Sequence, residues 1–145
     1  MPYGISWDKL ILIAGLGQLA LVAASLAIPR TLHWREDTAK LRPLTREIFW
    51  TYAAYIWTTN LCFGLLSALA PHWLLDGTPL AAVVSGFIAV YWGARLILQF
   101  AYFDRAEMTA AAWRRLAEIA AVGLFGFLAF VYGGACLLNL RGGSP

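Results

Sequence analysis

Residues 10–29 read LILIAGLGQLALVAASLAIP and contain no charged side chain. An α-helix needs about 20 consecutive apolar residues to cross the hydrocarbon core of a bilayer, so this run predicts a transmembrane helix. A cleaved signal peptide is the competing interpretation. However, the preceding MPYGISWDK lacks a basic beginning, and the apolar run is longer than the usual core of a signal peptide. We therefore predict a retained first transmembrane helix.

The rest of the chain continues this pattern. Of its 145 residues, 61% are hydrophobic and only 13% are charged, whereas soluble domains carry about 25% charged residues. Uncharged runs also cover residues 48–75, 77–94 and 119–140. The sequence therefore predicts an all-α membrane protein with a single domain over residues 1–145. We expect a four-transmembrane-helix bundle with helices at about 10–28, 46–70, 80–103 and 116–140.

Positive charge is distributed unevenly between the connections. The second connection, PHWLLDGTP, has no Lys or Arg, while the first and third contain Arg30, Arg35, Lys40, Arg42, Arg46, Arg105, Arg114 and Arg115. Lys and Arg concentrate in cytoplasmic loops. We therefore expect loops 1 and 3 in the cytoplasm, both termini outside (periplasmic), and a multi-pass protein of the inner (cytoplasmic) membrane. The net charge of +3 then reflects contact with anionic lipids, so lipids rather than nucleic acid are the expected partners.

The first connection, RTLHWREDTAKLRPLTRE, mixes charges of both signs with Trp34. Tryptophan concentrates at the membrane–water interface. This composition predicts a short surface helix or an ordered loop at head-group depth.

Arg95 lies inside the third predicted helix, eight residues before Phe103, or about 12 Å from its cytoplasmic end at 1.5 Å per residue. An arginine at this depth should face protein, water or a ligand. Helical phase places Tyr91, Gln99 and Tyr102 on the side of Arg95. Depth matching adds Tyr55 and Thr59 of the second helix.

These six residues predict a polar, aromatic pocket that opens toward the cytoplasm. A guanidinium binds carboxylate or phosphate in a fork while aromatic faces pack against an apolar body. A lipid head group or an amphipathic metabolite has this chemistry. Alternatively, Arg95 is neutralised by Glu47, Asp104 or Glu118, or stacks on Tyr55, and fixes helix packing.

Polar and small residues within the spans predict helix contacts. Gln18 and Asn60 lie near the midplane, where they can bond to each other, bond across an oligomer, or line a pore. Gly86 and Gly93 share one face of the third helix, as Gly126 and Gly133 do on the fourth. Such small-residue faces allow helices to approach closely.

No catalytic or metal site emerges from the sequence. His33 and His72 belong to connections on opposite sides of the membrane, so they cannot ligate one metal, and Asp76 and Asp104 are separated in the same way. The chain has no recognisable catalytic or phosphate-binding motif. No carboxylate lies deep in a span, which disfavours a proton-coupled carrier. We predict no metal and, outside the resemblance described next, no cofactor; the sequence does not identify a catalytic residue.

The four helices, outward termini, basic first loop and ARLILQFAYF (residues 94–103) resemble the small trimeric enzymes of the membrane-associated eicosanoid and glutathione metabolism family. The resemblance implies glutathione in a cytoplasm-facing cleft between subunits, with Arg95 and Tyr102 contacting it and Arg114 or Arg115 as a further candidate. The second helix departs from that family. It reads REIFWTYAAYIWTTN, with only Arg46, Glu47 and Asn60 where the family has a run of arginines, an asparagine and a glutamate.

Three functions follow as hypotheses. The leading one is a non-catalytic accessory or scaffold subunit of a membrane complex, which binds a lipid or other anionic amphiphile near Arg95. It would act as a homo-oligomer or with partner membrane subunits. The first alternative is a membrane enzyme of the glutathione type. The second is an oligomeric pore or small-molecule transporter lined by Gln18 and Asn60.

Overall fold

The computed structural model describes residues 4–101 and 112–142, and all regular structure in these ranges is helical. The four long helices are α1 (Trp7–Ser25), α4 (Pro43–Leu69), α5 (Pro79–Ala101) and α6 (Ala112–Leu140). Two short helices, α2 (Ile28–Thr31) and α3 (Trp34–Ala39), lie between α1 and α4, and a 3-10 turn (Pro71–Leu74) lies between α4 and α5.

Three helical segments are long and apolar enough to cross a membrane. They are Trp7–Thr31 with 25 residues, Pro79–Ala101 with 23 and Ala112–Leu140 with 29. Helix α4 has 27 residues, but its first half, IFWTYAAYIWTTN, is rich in tryptophan, tyrosine and threonine, which lower its hydropathy below that of the other three. The predicted class, an all-helical membrane protein, is confirmed by the three apolar helices.

Two prolines set helix boundaries differently from the prediction. Helix α1 ends at Ser25, and Pro29 lies in the first turn of α2 instead of stopping the first helix. Helix α4 begins at Pro43, three residues before the predicted start. Both positions suit proline, because the N–H that it lacks has no partner within the helix in a first turn. The predicted end of the third helix, at 103, lies outside the described residues.

The long helices pack as two antiparallel pairs, α1 with α4 and α5 with α6. In the first pair, Gly15 lies against the backbone of Ser67 and Ala68, while Gly64 lies against Leu19. The pairs meet along α1 and α6, where the Trp7 ring covers Gly134. Neighbouring helices therefore alternate in direction.

In the second pair, Gly86 of α5 contacts the Cys136 sulfur of α6. Further along, the Trp92 and Phe125 rings stack with centroids 5.3 Å apart. The α4 and α5 helices also meet through the Phe63 ring, whose centroid lies 5.4 Å from that of Tyr91.

The connection between α4 and α5 is fixed to the end of α6 by Asn139. The Asn139 amide donates to the Leu74 carbonyl at 2.8 Å, and its Oδ1 accepts from the Gly77 N–H at 2.9 Å. Gly77 has a φ of 74°, a left-handed conformation that glycine adopts without steric cost. Thr78 then caps α5, because its Oγ1 accepts from the Ala81 N–H at 3.1 Å.

The outer faces of the long helices are apolar. Exposed side chains include Leu80 at 72%, Phe130 at 71% and Leu116 at 69%. Exposed apolar surface of this extent is uncommon on soluble monomers. It is the surface that a membrane-embedded helix presents to lipid.

Candidate functional site

A buried polar network lies where the four long helices meet, and each helix contributes one side chain. The Gln18 amide of α1 donates to the Tyr132 hydroxyl of α6. The Tyr132 oxygen also lies 2.5 Å from the Ser67 hydroxyl of α4. The Trp92 indole N–H of α5 donates to Gln18 Oε1 at 3.1 Å.

These four side chains are almost fully enclosed, with exposed fractions of 0% for Gln18, Ser67 and Tyr132 and 1% for Trp92. A polar group buried in an apolar environment costs free energy unless it is hydrogen-bonded. Within the network, Gln18 is both donor and acceptor and Tyr132 has two partners, so the groups satisfy one another. The network therefore closes the centre of the bundle and selects one arrangement of its four helices.

Sequence reasoning placed Gln18 in the interior but did not find its partners. The sequence left open a bond to Asn60, a bond across an oligomer or a place in a pore. In the structure the bonds of Gln18 go to Tyr132 and Trp92. Ser67 was not singled out at all. A usable signal did exist, because a tyrosine or tryptophan inside an apolar span needs a partner for its polar atom.

Asn60 lies apart from this network and beside Tyr91 and Arg95 of α5. In the described part of the chain, its Oδ1 is buried and accepts no hydrogen bond. Leaving a buried acceptor unsatisfied costs about 1–3 kcal/mol. The Asn60 side chain also hydrogen-bonds to the Tyr91 hydroxyl, so its amide is satisfied on one side and unsatisfied on the other.

Arg95 packs on α6. Its guanidinium carbon lies 5.5 Å from the centre of the Phe125 ring, which is within the range of a cation–π contact. Phe125 itself is 4% exposed and stacks on Trp92. Arg95 thereby joins the α5–α6 contact through an aromatic partner that sequence reasoning had not identified.

The six predicted pocket residues do not form one group in the structure. Tyr91 and Arg95 lie together, Gln99 is buried at 8% exposure, and Tyr55 is 67% exposed. The α4 helix packs mainly on α1 and meets α5 at Tyr91 through Phe63 and Asn60. Tyr55 lies on an exposed part of α4. Thr59 is half-buried on α4. Tyr102 lies outside the described residues.

The four predicted packing glycines also differ from one another. Gly86 contacts Cys136, whereas a Cβ added at Gly93, Gly126 or Gly133 would meet nothing within 4 Å. The close contacts of α1 with its neighbours lie instead at Gly15 of α1, Gly64 of α4 and Gly134 of α6. Helical spacing predicts that two glycines share a face, but it does not show which face meets another helix.

A cluster of aromatic rings joins α3 to the beginning of α4. The Trp34 ring centroid lies 5.2 Å from that of Phe49 and 6.3 Å from that of Trp50, and both pairs meet edge to face. His33 precedes α3 with a φ of 52°, a left-handed conformation that turns the chain between α2 and α3. Together these features hold α3 against α4.

Two adjoining cavities of about 330 and 400 Å³ lie beside this cluster. Arg35 and Trp50 line both cavities. Arg46 lines the smaller one, and Arg30 the larger one. We name the two cavities together the arginine groove; its walls also include Leu26, Pro29, His33, Glu36, Thr38 and Ala39.

Within residues 4–101 and 112–142, no three His, Cys, Asp or Glu side chains lie close enough to hold a metal ion. The two cysteines in these ranges, Cys62 and Cys136, are both unbridged. No protein-family model, curated protein or solved structure matches the chain.

Proposed function

We propose that the chain is a four-span inner-membrane protein that acts as a non-catalytic accessory or scaffold subunit of a membrane complex. Its partners are membrane lipids together with partner subunits or further copies of itself. The closed network of Gln18, Ser67, Trp92 and Tyr132 is the observation that carries this proposal. It occupies the centre of the bundle, where a pore or substrate cavity within a single copy would lie.

The charge distribution supports an orientation with both termini outside. Antiparallel packing brings the beginning of α1, the end of α6 and the α4–α5 connection to one end of the bundle. Most of the described Lys and Arg residues belong to the opposite end, around α2, α3 and the beginnings of α4 and α6. Positive charge favours the cytoplasmic side.

Packing supports α4 as the fourth span. Its 27 residues reach about 40 Å at 1.5 Å per residue, enough to cross the hydrocarbon core. It lies along α1 from the level of Trp57 to that of Ala68, since the Trp57 indole donates to the Val22 carbonyl at 3.3 Å and Gly15 contacts Ala68. A helix paired in this way with a spanning helix shares its depth.

Purification in mild detergent followed by native mass spectrometry tests the proposal. The expected result is a complex of the chain with a partner subunit or with further copies. A matched variant, Phe130→Ser, alters a side chain on the outer face, while the core network stays intact. Recovery of the wild type as a monomer without any partner protein would overturn the scaffold role.

A further inference from the structure

We propose that the arginine groove binds the phosphate of an anionic phospholipid. Arg35 and Arg46 would bind the phosphate, and Arg30 would add to the positive potential of the groove. The Trp50 indole would lie along the glycerol and the upper acyl region. The proposal rests on the membrane location given under the proposed function, but it requires no partner protein.

The groove is formed where α3 packs on α4. Arg35 comes from α3 and Arg46 from α4, and both line the same cavity together with Trp50 of α4. The edge-to-face contacts of Trp34 with Phe49 and Trp50 fix α3 on α4. Two arginine side chains from different helices thereby line one cavity.

The charge of the groove is not neutralised from within. In this region the Lys40 ammonium lies 3.6 Å from the Asp37 carboxylate, and the His33 imidazole lies 3.6 Å from the Glu36 carboxylate. In the described part of the chain, neither pair includes Arg30, Arg35 or Arg46. Among the described residues that line the groove, Glu36 is the only acid, whereas Arg30, Arg35 and Arg46 supply three positive charges. An anion complements this surplus.

The position of the groove favours a lipid over a soluble anion. It lies between the segment that follows α1 and the first turns of α4, where the chain passes from charged to apolar residues. Leu26, Pro29 and Trp50 give its wall an apolar part beside the arginines. Tryptophan prefers head-group depth, and basic pockets between helices on the cytoplasmic side bind phospholipid head groups.

The test measures lipid retention by native mass spectrometry after the protein is placed in nanodiscs of phosphatidylcholine mixed with phosphatidylglycerol. The double variant R35Q/R46Q is compared with R42Q/R141Q, which removes the same charge from positions outside the groove. An arginine that contacts the bound anionic head group contributes about fivefold to the affinity, so R35Q/R46Q should lose about 25-fold. R42Q/R141Q should lose much less, because neither residue lines the groove. All four arginines are exposed, so circular dichroism should show unchanged helix content in both variants.

Equal retention of phosphatidylglycerol by the two double variants would overturn the assignment. A second experiment adds inorganic phosphate as a competitor of the lipid. Displacement of the lipid by inorganic phosphate beyond the effect of sodium chloride at matched ionic strength would show that the groove selects a soluble anion. A third variant, Trp50→Ala, should weaken retention of phosphatidylglycerol; unchanged retention would contradict the role given to the indole.

The outcome is separable from that of the scaffold role. A monomer that retains phosphatidylglycerol, and loses it in R35Q/R46Q, would support the groove while overturning the scaffold role. A multisubunit complex that retains phosphatidylglycerol equally in both double variants would do the reverse.

Discussion

The Gln18 side chain of α1 donates a hydrogen bond to the Tyr132 hydroxyl of α6, which lies 114 residues further along the chain. This bond joins the helix pair α1–α4 to the pair α5–α6. Ser67 and Trp92 extend it to the remaining two helices. The fold is therefore held at its centre by polar contacts, although its faces toward lipid are apolar.

Gln18→Leu should destabilise the protein. The change removes the bonds to Tyr132 and Trp92, and interhelical hydrogen bonds in membranes average about 0.6 kcal/mol each. The indole N–H of Trp92 would also be left without its acceptor, so the total loss should reach about 1–3 kcal/mol. Reversible unfolding in mixed micelles measures this loss. Tyr132→Phe, alone and combined with Gln18→Leu, should give a non-additive cycle; strict additivity would contradict the direct coupling.

Asn60→Leu, unlike Gln18→Leu, should not lower the free energy of unfolding. The buried Oδ1 of Asn60 accepts no hydrogen bond within the described residues, so replacement by an apolar side chain of similar size removes a desolvation cost. This gain offsets the loss of the Asn60 hydrogen bond to Tyr91. We expect unfolding free energy to stay equal or rise by about 1 kcal/mol. The same variant tests the pore hypothesis, which requires Asn60 to line a water path. A stable variant with altered conductance in planar bilayers would favour that hypothesis.

Gly15→Ala and Gly126→Ala form a matched pair. A Cβ at Gly15 would lie 2.7 Å from the Ala68 backbone nitrogen, whereas a Cβ at Gly126 would meet nothing within 4 Å. Overpacking destabilises a protein by about 1–3 kcal/mol. Replacing glycine by alanine in a helix interior stabilises it by about 0.5–1 kcal/mol where space allows. The unfolding temperature in detergent should therefore fall for Gly15→Ala and stay equal or rise for Gly126→Ala. Loss of an oligomer in Gly126→Ala would instead identify that glycine face as a contact between subunits.

Arg95→Met should weaken the α5–α6 contact. The substitution keeps an apolar stem but removes the guanidinium over Phe125, a contact worth about 0.5–2 kcal/mol. Unfolding of Arg95→Met, Phe125→Leu and their combination should reveal coupling between the two positions.

The same variant tests the glutathione-type alternative. We expect glutathione to leave the unfolding temperature of the wild type unchanged. A stabilisation by glutathione that disappears in Arg95→Met would support an enzyme of that class and contradict a purely structural role for Arg95.

Stability at the α5 cap should depend on acidity. The hydroxyl and backbone N–H of Thr78 donate to Asp76 and lower the pKa of its carboxyl below the usual 3.8. The folded state thus prefers the ionised carboxylate, which stabilises it above the unfolded pKa and ceases to do so as the pH falls through the lower folded pKa. Asp76→Asn should unfold at a slightly lower temperature than the wild type at neutral pH. The two should converge in acid, and a constant difference down to pH values below the folded pKa would contradict the link.

The sequence predicted the helical membrane class because uncharged runs of sufficient length need no tertiary information. It could not predict which faces meet. The depth of Gln18 matched that of Asn60, but a partner also depends on helix rotation and neighbourhood, and α6 supplied Tyr132. Likewise, spacing placed Gly126 and Gly133 on one face without showing that this face contacts no other described residue closely.

The arginine groove was missed for a related reason. Its arginines were used to assign the topology, where only their number matters. Their convergence depends on the aromatic contacts that fold α3 back on α4 and on the left-handed turn at His33. Separations along the chain do not reveal such a turn.

The central network also constrains how the protein is made. Gln18 enters the membrane with the first helix, yet Tyr132 is synthesised 114 residues later. Until then, the carbonyl of Ala14, 3.5 Å away, is the only partner that Gln18 has within its own helix. A nascent chain that stalls before α6 therefore lacks the Tyr132 hydroxyl that joins Gln18 to Ser67, which distinguishes an incomplete product from a finished one.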